Sequence, residues 1–171
     1  METRRPIQLL TEELIGAVAE QARQSPRRRK NYNFHTGDGD NPHRFLNVIL
    51  AGSYVRPHRH LAPPKSESFL VLSGHMAAFV FDDAGKVIAG HILGDGPFAG
   101  RAPSRITDRA VARGIDLQPG VWHSVASLTP VAVCYEVKPG PWVPATDKEF
   151  APWAPEEGSP EAAQYLASLI A

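Results

Sequence analysis

The chain has 171 residues, of which 43% are hydrophobic, a length and composition typical of one globular domain with a substantial core. Its 18 lysines and arginines equal its 18 aspartates and glutamates in number. This balance excludes a global electrostatic attraction to nucleic acid or to an anionic membrane, so any charge effect must be local.

A first helix is predicted over residues 9–24, because apolar side chains recur there at helical spacing and Thr11 can cap its start. Two glutamates in the first turn favour the same start. Pro26 ends the helix. The basic run at residues 27–31 leads into a polar segment, from about His35 to Pro42, that is predicted to be a loop.

Short apolar runs then predict seven strands. Between two of them, Asp82 to Gly85 is typical of a hairpin turn, with glycine where a positive φ is usually required. The fold class is therefore mainly β, a sandwich or small barrel flanked by terminal helices. The predicted strands are Phe45 to Leu50, Ser68 to Leu72, Met76 to Phe81, Lys86 to Leu93, Val111 to Leu117, Val121 to Ala126 and Val131 to Val137.

Residues 94–109 are rich in glycine, proline and arginine and predict a long excursion over one mouth of the barrel. A short C-terminal helix is predicted after Ser159, with Pro160 at its first position. The chain is thus expected to form a single domain in three parts. These are a helical and loop extension (1–44), a β-barrel core (45–142) and an irregular tail with a short helix (143–171).

The single cysteine, Cys134, excludes an internal disulfide and lies in an apolar run, where a small buried hydrophobe is expected. Near the N-terminus, Glu12 and Glu13 interrupt the apolar stretch, which therefore fits neither a secretory signal nor a membrane span. These features predict a cytoplasmic protein.

Four residues predict a metal site: His58, His60, Glu67 and His123. Side chains two apart on a strand share a face, so His58 and His60 can both offer a nitrogen to one ion. Three nitrogens and a carboxylate suit a divalent Zn, Fe, Mn, Ni or Co ion and leave coordination positions open in a five- or six-coordinate centre. The alternative is three ordinary barrel histidines and a surface glutamate.

The alternation of side chains along a strand (strand parity) also predicts neighbours for this site. Tyr54 and Arg56 share parity with His58, and Phe69 shares parity with Glu67, so all three are candidates to project into the barrel beside the ion. Trp122 has the opposite parity to His123 and is expected on the outer face, against a helix or a second subunit. The basic run at residues 27–30 could bind phosphate or a sugar nucleotide, although a solvated charge run is the commoner explanation.

The four residues stand in motifs that resemble those of the cupin superfamily. The first motif reads Gly52-x5-His58-x-His60-x6-Glu67-x6-Gly74, and the second reads Pro119-Gly120-x2-His123. Three details depart from the usual pattern. The spacer between His60 and Glu67 is longer, Pro119 stands one place closer to the glycine, and Ser127 stands where the superfamily usually has asparagine. The resemblance implies a cupin-type antiparallel β-barrel, a double-stranded β-helix or jelly roll, with one bound transition metal.

A closer resemblance covers residues 27–142 and is to the WbuC-type cupin metalloproteins. It rests on six runs of sequence. Some members are encoded among genes for bacterial surface-polysaccharide synthesis, and the activity of the family is not established. By analogy with small cupins, a homodimer is expected. The runs are Arg-Lys-Asn-Tyr-Asn-Phe-His (29–35), Arg-Phe-Leu-Asn (44–47), Ser-Tyr-Val-Arg-Pro-His-Arg-His (53–60), Glu-Ser-Phe (67–69), Pro-Gly-Val-Trp-His (119–123) and Glu-Val-Lys-Pro-Gly-Pro-Trp (136–142).

The resemblance draws attention to further polar residues near the predicted barrel mouth. These side chains either line a polar-ligand pocket or satisfy irregular backbone. Tyr54 and His35 are the candidates for a catalytic group. The candidates for substrate binding are Arg56, Asn31, Asn33, Arg44, Asn47 and Phe69.

Two functional hypotheses follow. The first is a metal-dependent enzyme acting on a small polar, sugar-like molecule, as an isomerase, lyase or hydrolase, or as an oxygenase if the metal is iron. The second is a metal-stabilised module that binds or senses a small molecule without turnover. A purely structural metal is a weaker third reading, because structural zinc sites are usually rich in cysteine. Neither nucleic acid nor a membrane is expected as a partner.

Overall fold

The protein is described by a computed structural model over residues 6–171. Within this range, α1 spans Glu12–Gln24 and α2 spans Pro160–Ile170. No helix in it is long and apolar enough to cross a membrane. The strands are β1 Arg29–Asn33, β2 His43–Leu50, β3 His58–Arg59, β4 Glu67–Ser73, β5 His75–Phe81, β6 Val87–Gly94, β7 Asp108–Ala112, β8 Gly114–Leu117, β9 Trp122–Ser127, β10 Val131–Lys138 and β11 Glu149–Phe150.

The strands form two sheets that face each other. The first has the order β1-β2-β10-β4-β8 and the second the order β11-β3-β9-β5-β6-β7. Neighbouring strands are antiparallel, except for the parallel pair β6 and β7. Apolar side chains from both sheets pack between them, among them Val71, Cys134, Met76, Leu93 and Val125. The mainly β prediction is confirmed, as two sheets without a continuous closed barrel among the described strands.

Each helix covers the outer face of one sheet. Val18 and Ala22 of α1 pack on Leu46 and Val48 of the first sheet. The Thr11 hydroxyl accepts a hydrogen bond from the backbone N–H of Leu14 at 3.2 Å and so begins α1 later than the predicted residue 9. α2 and the tail before it pack on the second sheet in a cluster that contains Trp122, Phe79, Leu166 and Leu169. Both predicted helices are therefore present.

The predicted polar loop from His35 to Pro42 is confirmed, whereas the strand just before it, β1 at Arg29–Asn33, was not predicted. This strand pairs with β2 from Arg29 opposite Ile49 to Asn33 opposite Phe45. Its side chains are polar apart from Tyr32, so the alternation of polar and apolar residues that marks a half-buried strand is missing. Hydrogen bonding to β2, rather than the propensity of its own residues, therefore determines the extended conformation of β1.

The predicted strand over residues 111–117 is in fact two strands, β7 and β8. The chain changes sheets here, and Gly114 begins β8 so close to the carbonyl oxygen of Phe69 that a Cβ atom would collide with it. The hairpin at residues 82–85 is confirmed, with φ of +85° at Gly85. β3 and β11 were not predicted, since two residues are too short for any periodicity.

Glu157, just before α2, links the tail to β1 through hydrogen bonds. Its carboxylate accepts hydrogen bonds from Arg29 at 2.5 Å and Arg27 at 3.1 Å, and a weaker one from the backbone N–H of Arg56 at 3.4 Å. Burial alone would raise the pKa of Glu157, but the charges of the two arginines hold it below its ordinary value. The ionised carboxylate therefore stabilises the folded state.

We expect Glu157→Gln to lower the free energy of unfolding by about 1 kcal/mol near neutral pH, as measured by urea denaturation. Because the folded-state pKa lies below the unfolded one, the contribution of Glu157 is complete above the unfolded pKa. It is lost as the pH falls through the folded value, so the difference between the two proteins should shrink below about pH 4.

Glu20→Gln is the control, because Glu20 pairs with Arg23 on the exposed face of α1. It should change the free energy of unfolding by less than about 0.5 kcal/mol at any pH. An effect of Glu157→Gln that is equally small at neutral pH would show that the tail is held by its apolar contacts alone.

Candidate metal centre

The four predicted ligands meet between the two sheets. His58 lies on β3 directly opposite His123 on β9, and His60 follows β3 by one residue. Glu67 begins β4 in the facing sheet. All four side chains are buried, and their ligand atoms lie within 4.8 Å of one another. The structure therefore brings together residues that are far apart in the sequence.

Hydrogen bonds to backbone carbonyls orient the three imidazoles. Nδ1 of His58 donates to the carbonyl of Arg56 at 2.9 Å, and Nδ1 of His123 donates to that of Val121 at 2.9 Å. Nδ1 of His60 donates to the carbonyl of Asp147. A carbonyl only accepts, so in the neutral rings the Nε2 atoms carry the lone pairs. All three Nε2 atoms face Glu67 or its immediate surroundings.

The carboxylate of Glu67 lies close to two of these nitrogens, with Nε2 of His123 at 2.9 Å and Nε2 of His60 at 3.6 Å. Nε2 of His58 and Nε2 of His60 are buried without a hydrogen-bond partner. Buried lone pairs without a donor are costly, and a cation at their centre would satisfy them together. The residues thus fit one divalent transition metal, and the donor set does not choose between zinc, iron, manganese, nickel and cobalt.

The protonation states also fit a metal. Burial and the nearby charge of Lys148 keep the pKa of His58 well below its ordinary value, so the ring is neutral. Burial would raise the pKa of Glu67, but the adjacent rings of His123 and His60 and the charge of Lys148 hold it well below its usual range. A neutral imidazole and an ionised carboxylate are the forms that bind a metal ion.

The cluster opens into a pocket of about 530 Å³, a volume sufficient for a small organic molecule. His58, Glu67 and His123 line the inner end, and the other walls come mainly from β1, β2, β4 and β10. Among the predicted substrate residues, the pocket is lined by Asn31, Asn33, Asn47 and Phe69, together with the catalytic candidate His35.

The other three candidates lie away from the pocket. The Tyr54 hydroxyl donates to the carbonyl of Pro155 at 3.0 Å, and the Arg56 guanidinium donates to the carbonyl of Ala151 at 3.2 Å. The parity argument for both is wrong, because residues 53–57 do not form a strand. Arg44 lies on β2 between Phe45 and His43, and only its backbone contacts His35.

Trp122 lies on the outer face of its sheet, as its parity predicted. It is buried in the cluster formed with α2 and the tail, and its indole N–H donates to Asp83 at 2.9 Å. The Arg59 guanidinium stacks on the indole ring at 4.2 Å. The protein's own tail thus covers Trp122. It occupies the surface that a second subunit, one of the predicted options, would contact.

Sequence reasoning missed Glu136, which lies on β10 at the inner end of the pocket. Asn47 donates to its carboxyl group at 2.5 Å, and both Glu136 and Glu67 line the pocket. Burial and the charge of Glu67 raise the pKa of Glu136 to about 8. The signal was available, since Cys134, Glu136 and Lys138 share a face of an otherwise apolar strand.

A second missed group surrounds Asp147 in the tail. Its carboxylate binds Lys65 at 2.9 Å and Lys138 at 2.8 Å, and all three side chains are buried. Burial would raise the pKa of Asp147, but the two lysines hold it below its ordinary value. The neighbouring Lys148 lines the pocket. No periodicity marks these tail residues, so the sequence offered no signal for them.

Comparison with known proteins gives one family match. A model for a domain of unknown function (DUF6016) matches residues 10–93, just under half of the chain. That range contains three of the four clustered residues and ends before His123. No curated protein matches the sequence.

Among solved structures, the chain is similar to the capsular polysaccharide assembling protein CapF from Staphylococcus aureus. The sequences are 18% identical over 71% of this chain and 29% of CapF, with a TM-score of 0.52. An oxalate oxidase in complex with the substrate analogue glycolate is 12% identical over 75% of this chain and 57% of its own, also with a TM-score of 0.52. The chain thus spans less than a third of CapF and just over half of the oxalate oxidase.

Both similar structures are cupin-fold proteins. The chain has a cupin fold. This confirms the architecture that the two sequence motifs implied, while identities below 20% extend the similarity no further than the fold. In this chain, both motifs place their histidines and glutamate in one buried cluster.

We expect the purified cupin to contain about one equivalent of a transition metal, measured by elemental analysis without added metal. His58→Ala and Glu67→Ala should each lose it, because each removes one of four ligands. His91→Ala is the control, since His91 lies on β6 outside the cluster, and it should retain the metal. Wild-type protein that neither contains a metal nor takes one up on titration would contradict this assignment.

We expect Asp147→Asn to lower the free energy of unfolding by about 3–5 kcal/mol, because Lys65 and Lys138 would be left buried without their counter-ion. The adjacent Glu149→Gln removes the same charge from an exposed pair with Arg59 and should cost less than about 1 kcal/mol. Similar losses in the two variants, measured by urea denaturation, would mean that the lysines reach solvent when Asp147 is neutralised.

Proposed function

We propose that this cupin is a metal-dependent enzyme that acts on a small polar, sugar-like molecule. The observation that carries the proposal is that three of the four clustered ligands line the inner end of the pocket. A molecule in the pocket would therefore meet the metal centre directly. A purely structural metal would have no need of such an opening.

The walls of the pocket suit a hydroxylated molecule. Asn31, Asn33 and Asn47 offer amide donors and acceptors for hydroxyl groups, and Asn31 donates to Asn33 at 2.6 Å. Phe45 and Phe69 provide apolar surface on which the carbon skeleton of a sugar can pack. This mixture of apolar walls and a few placed polar groups is typical of small-molecule sites.

The metal would supply Lewis-acid activation of a carbonyl or hydroxyl oxygen when bound by His58, His60, Glu67 and His123. Glu136 is the residue placed to hold or transfer a proton, because its carboxyl group lines the pocket beside Glu67. Asn47 fixes that carboxyl group by its hydrogen bond. Isomerase, lyase and hydrolase chemistry, and oxygenase chemistry with iron, are all compatible with these groups.

We also propose that the protein is a WbuC-type cupin. The motifs that resemble WbuC-type cupins supply Asn31, Asn33, His35, Asn47 and Glu136, all of which line the pocket. The name of CapF refers to capsular polysaccharide assembly, and it agrees with a role near bacterial surface-polysaccharide synthesis. A sugar or a sugar derivative is thus the substrate class to test first.

The alternative function is a metal-stabilised module that binds a small molecule without changing it. The two functions differ in one observable. A non-catalytic module would raise its melting temperature in the presence of the ligand, by mass action, and would release the ligand unchanged after long incubation. An enzyme would release a product.

We expect incubation of the metal-loaded protein with a panel of aldoses, ketoses and sugar acids to yield a product detectable by mass spectrometry. His58→Ala should abolish turnover together with the metal. Glu136→Gln should retain the metal and lower kcat by about 10²- to 10⁴-fold, as for loss of a proton-transferring group.

Asp116→Asn is the control for these variants, because Asp116 lies outside the pocket and bonds to Ser68 on an exposed surface. It should leave both metal content and turnover unchanged. Recovery of every tested compound unchanged, with one of them raising the melting temperature, would replace the enzyme by the binding module.

A further inference from the structure

Ionisable groups of both signs surround the metal centre. Three carboxyl groups lie around it, those of Glu67, Glu136 and Asp147. Three lysines accompany them: Lys65, Lys138 and Lys148. The three ligand histidines are neutral donors in a metal site. A divalent ion would therefore add two positive charges to a buried region that already holds three lysines.

Lys148 differs from the other two lysines in having no fixed partner. Lys65 and Lys138 both bind the Asp147 carboxylate. Within residues 6–171, Lys148 forms no hydrogen bond and no ion pair within 4 Å. Burial lowers the pKa of its amine, and the charges of Glu67 and Glu136 only partly offset that effect. Its half-buried side chain lines the pocket beside the metal ligands. It is thus a cation available to a molecule in the pocket.

We propose that Lys148 binds the carboxylate of the substrate, and that the pocket takes a small hydroxylated acid such as a sugar acid. This inference rests on the proposed function, because the bound metal would add two positive charges beside Lys148. An anionic ligand would offset that charge, which is otherwise costly in a buried site. The amides of Asn31, Asn33 and Asn47 line the same pocket and offer their remaining donors and acceptors to the hydroxyl groups.

A carboxylate fits this position better than a phosphate. Proteins usually bind phosphate with forked guanidinium groups or with several backbone N–H donors together. Among the described residues, the inner end of the pocket offers one amine without a hydrogen bond or ion pair, that of Lys148. The guanidinium groups of Arg27 and Arg29 lie at the other end of the pocket, where both bind Glu157.

The test compares glucuronate with glucose, which differ in the carboxylate that Lys148 is proposed to bind. Binding to the Zn²⁺-loaded full chain is measured by isothermal titration calorimetry. We expect the wild type to bind glucuronate about 10- to 100-fold more tightly than glucose, the gain of one charge-assisted hydrogen bond. Lys148→Met should remove this preference, and Lys148→Arg should retain part of it.

Lys30→Met is the matched control, because Lys30 also lines the pocket but lies on β1, away from the metal ligands. It should change the affinity for glucuronate by less than about threefold, since an exposed charge is largely screened. An equal loss in Lys30→Met and Lys148→Met would overturn the proposal in favour of a general field effect. No preference for glucuronate in the wild type would overturn it as well.

Zn²⁺ titration of each variant, before any sugar is added, separates this inference from the proposed function. Lys148→Met should bind Zn²⁺ at least as tightly as the wild type, because a positive charge beside the ion is removed. Loss of Zn²⁺ binding in that variant would make Lys148 a support of the centre and overturn its role in binding substrate. Failure of the wild type to bind Zn²⁺ would instead reject the metal centre itself.

Glucose 6-phosphate distinguishes the two sources of negative charge. Lys148-dependent binding of the phosphate ester without Lys148-dependent binding of glucuronate would overturn the carboxylate assignment. Lys148-dependent binding of glucuronate supports it, with the phosphate ester bound more weakly.

Discussion

The convergence of three imidazole nitrogens and one carboxylate between the two sheets is the constraint on which the site depends. These acceptors face each other in a buried space, and two of the nitrogens have no hydrogen-bond partner. Burying unsatisfied acceptors and a carboxylate is unfavourable, so the fold retains them at a cost in stability. A cation at their centre converts this unfavourable arrangement into a favourable one.

The electrostatics of the surrounding shell follow from that centre. Glu67 must stay ionised in a buried position, and the lysines that balance it come from β10 and from the tail. Lys138 and Lys65 are themselves buried, which requires the carboxylate of Asp147. The metal site therefore requires a series of buried charged side chains. Each of them is stabilised by a neighbour of opposite charge.

The sequence predicted the parts of this arrangement that are encoded locally. His58 and His60 have a spacing that gives a shared face, the motif supplied Glu67 and His123, and the apolar runs located the longer strands. Parity failed for Tyr54 and Arg56, because the chain before β3 is not extended strand and no local signal marks where β3 begins. It also could not locate β1, whose polar residues form a strand only through pairing with β2. Glu136 was within reach of the same parity argument and was missed because β10 was read as entirely apolar.

The three histidines are oriented by different parts of the sequence: two by nearby residues and one by a distant residue. His58 and His123 each bond to the carbonyl of the residue two positions earlier, so a short segment fixes both ring and tautomer. His60 depends on the carbonyl of Asp147, 87 positions away in the tail. Because the Asp147 side chain is held by Lys65 and Lys138, the orientation of His60 depends on the same ion network that neutralises the buried lysines. The tail is thus a part of the metal centre, although none of its residues is a ligand.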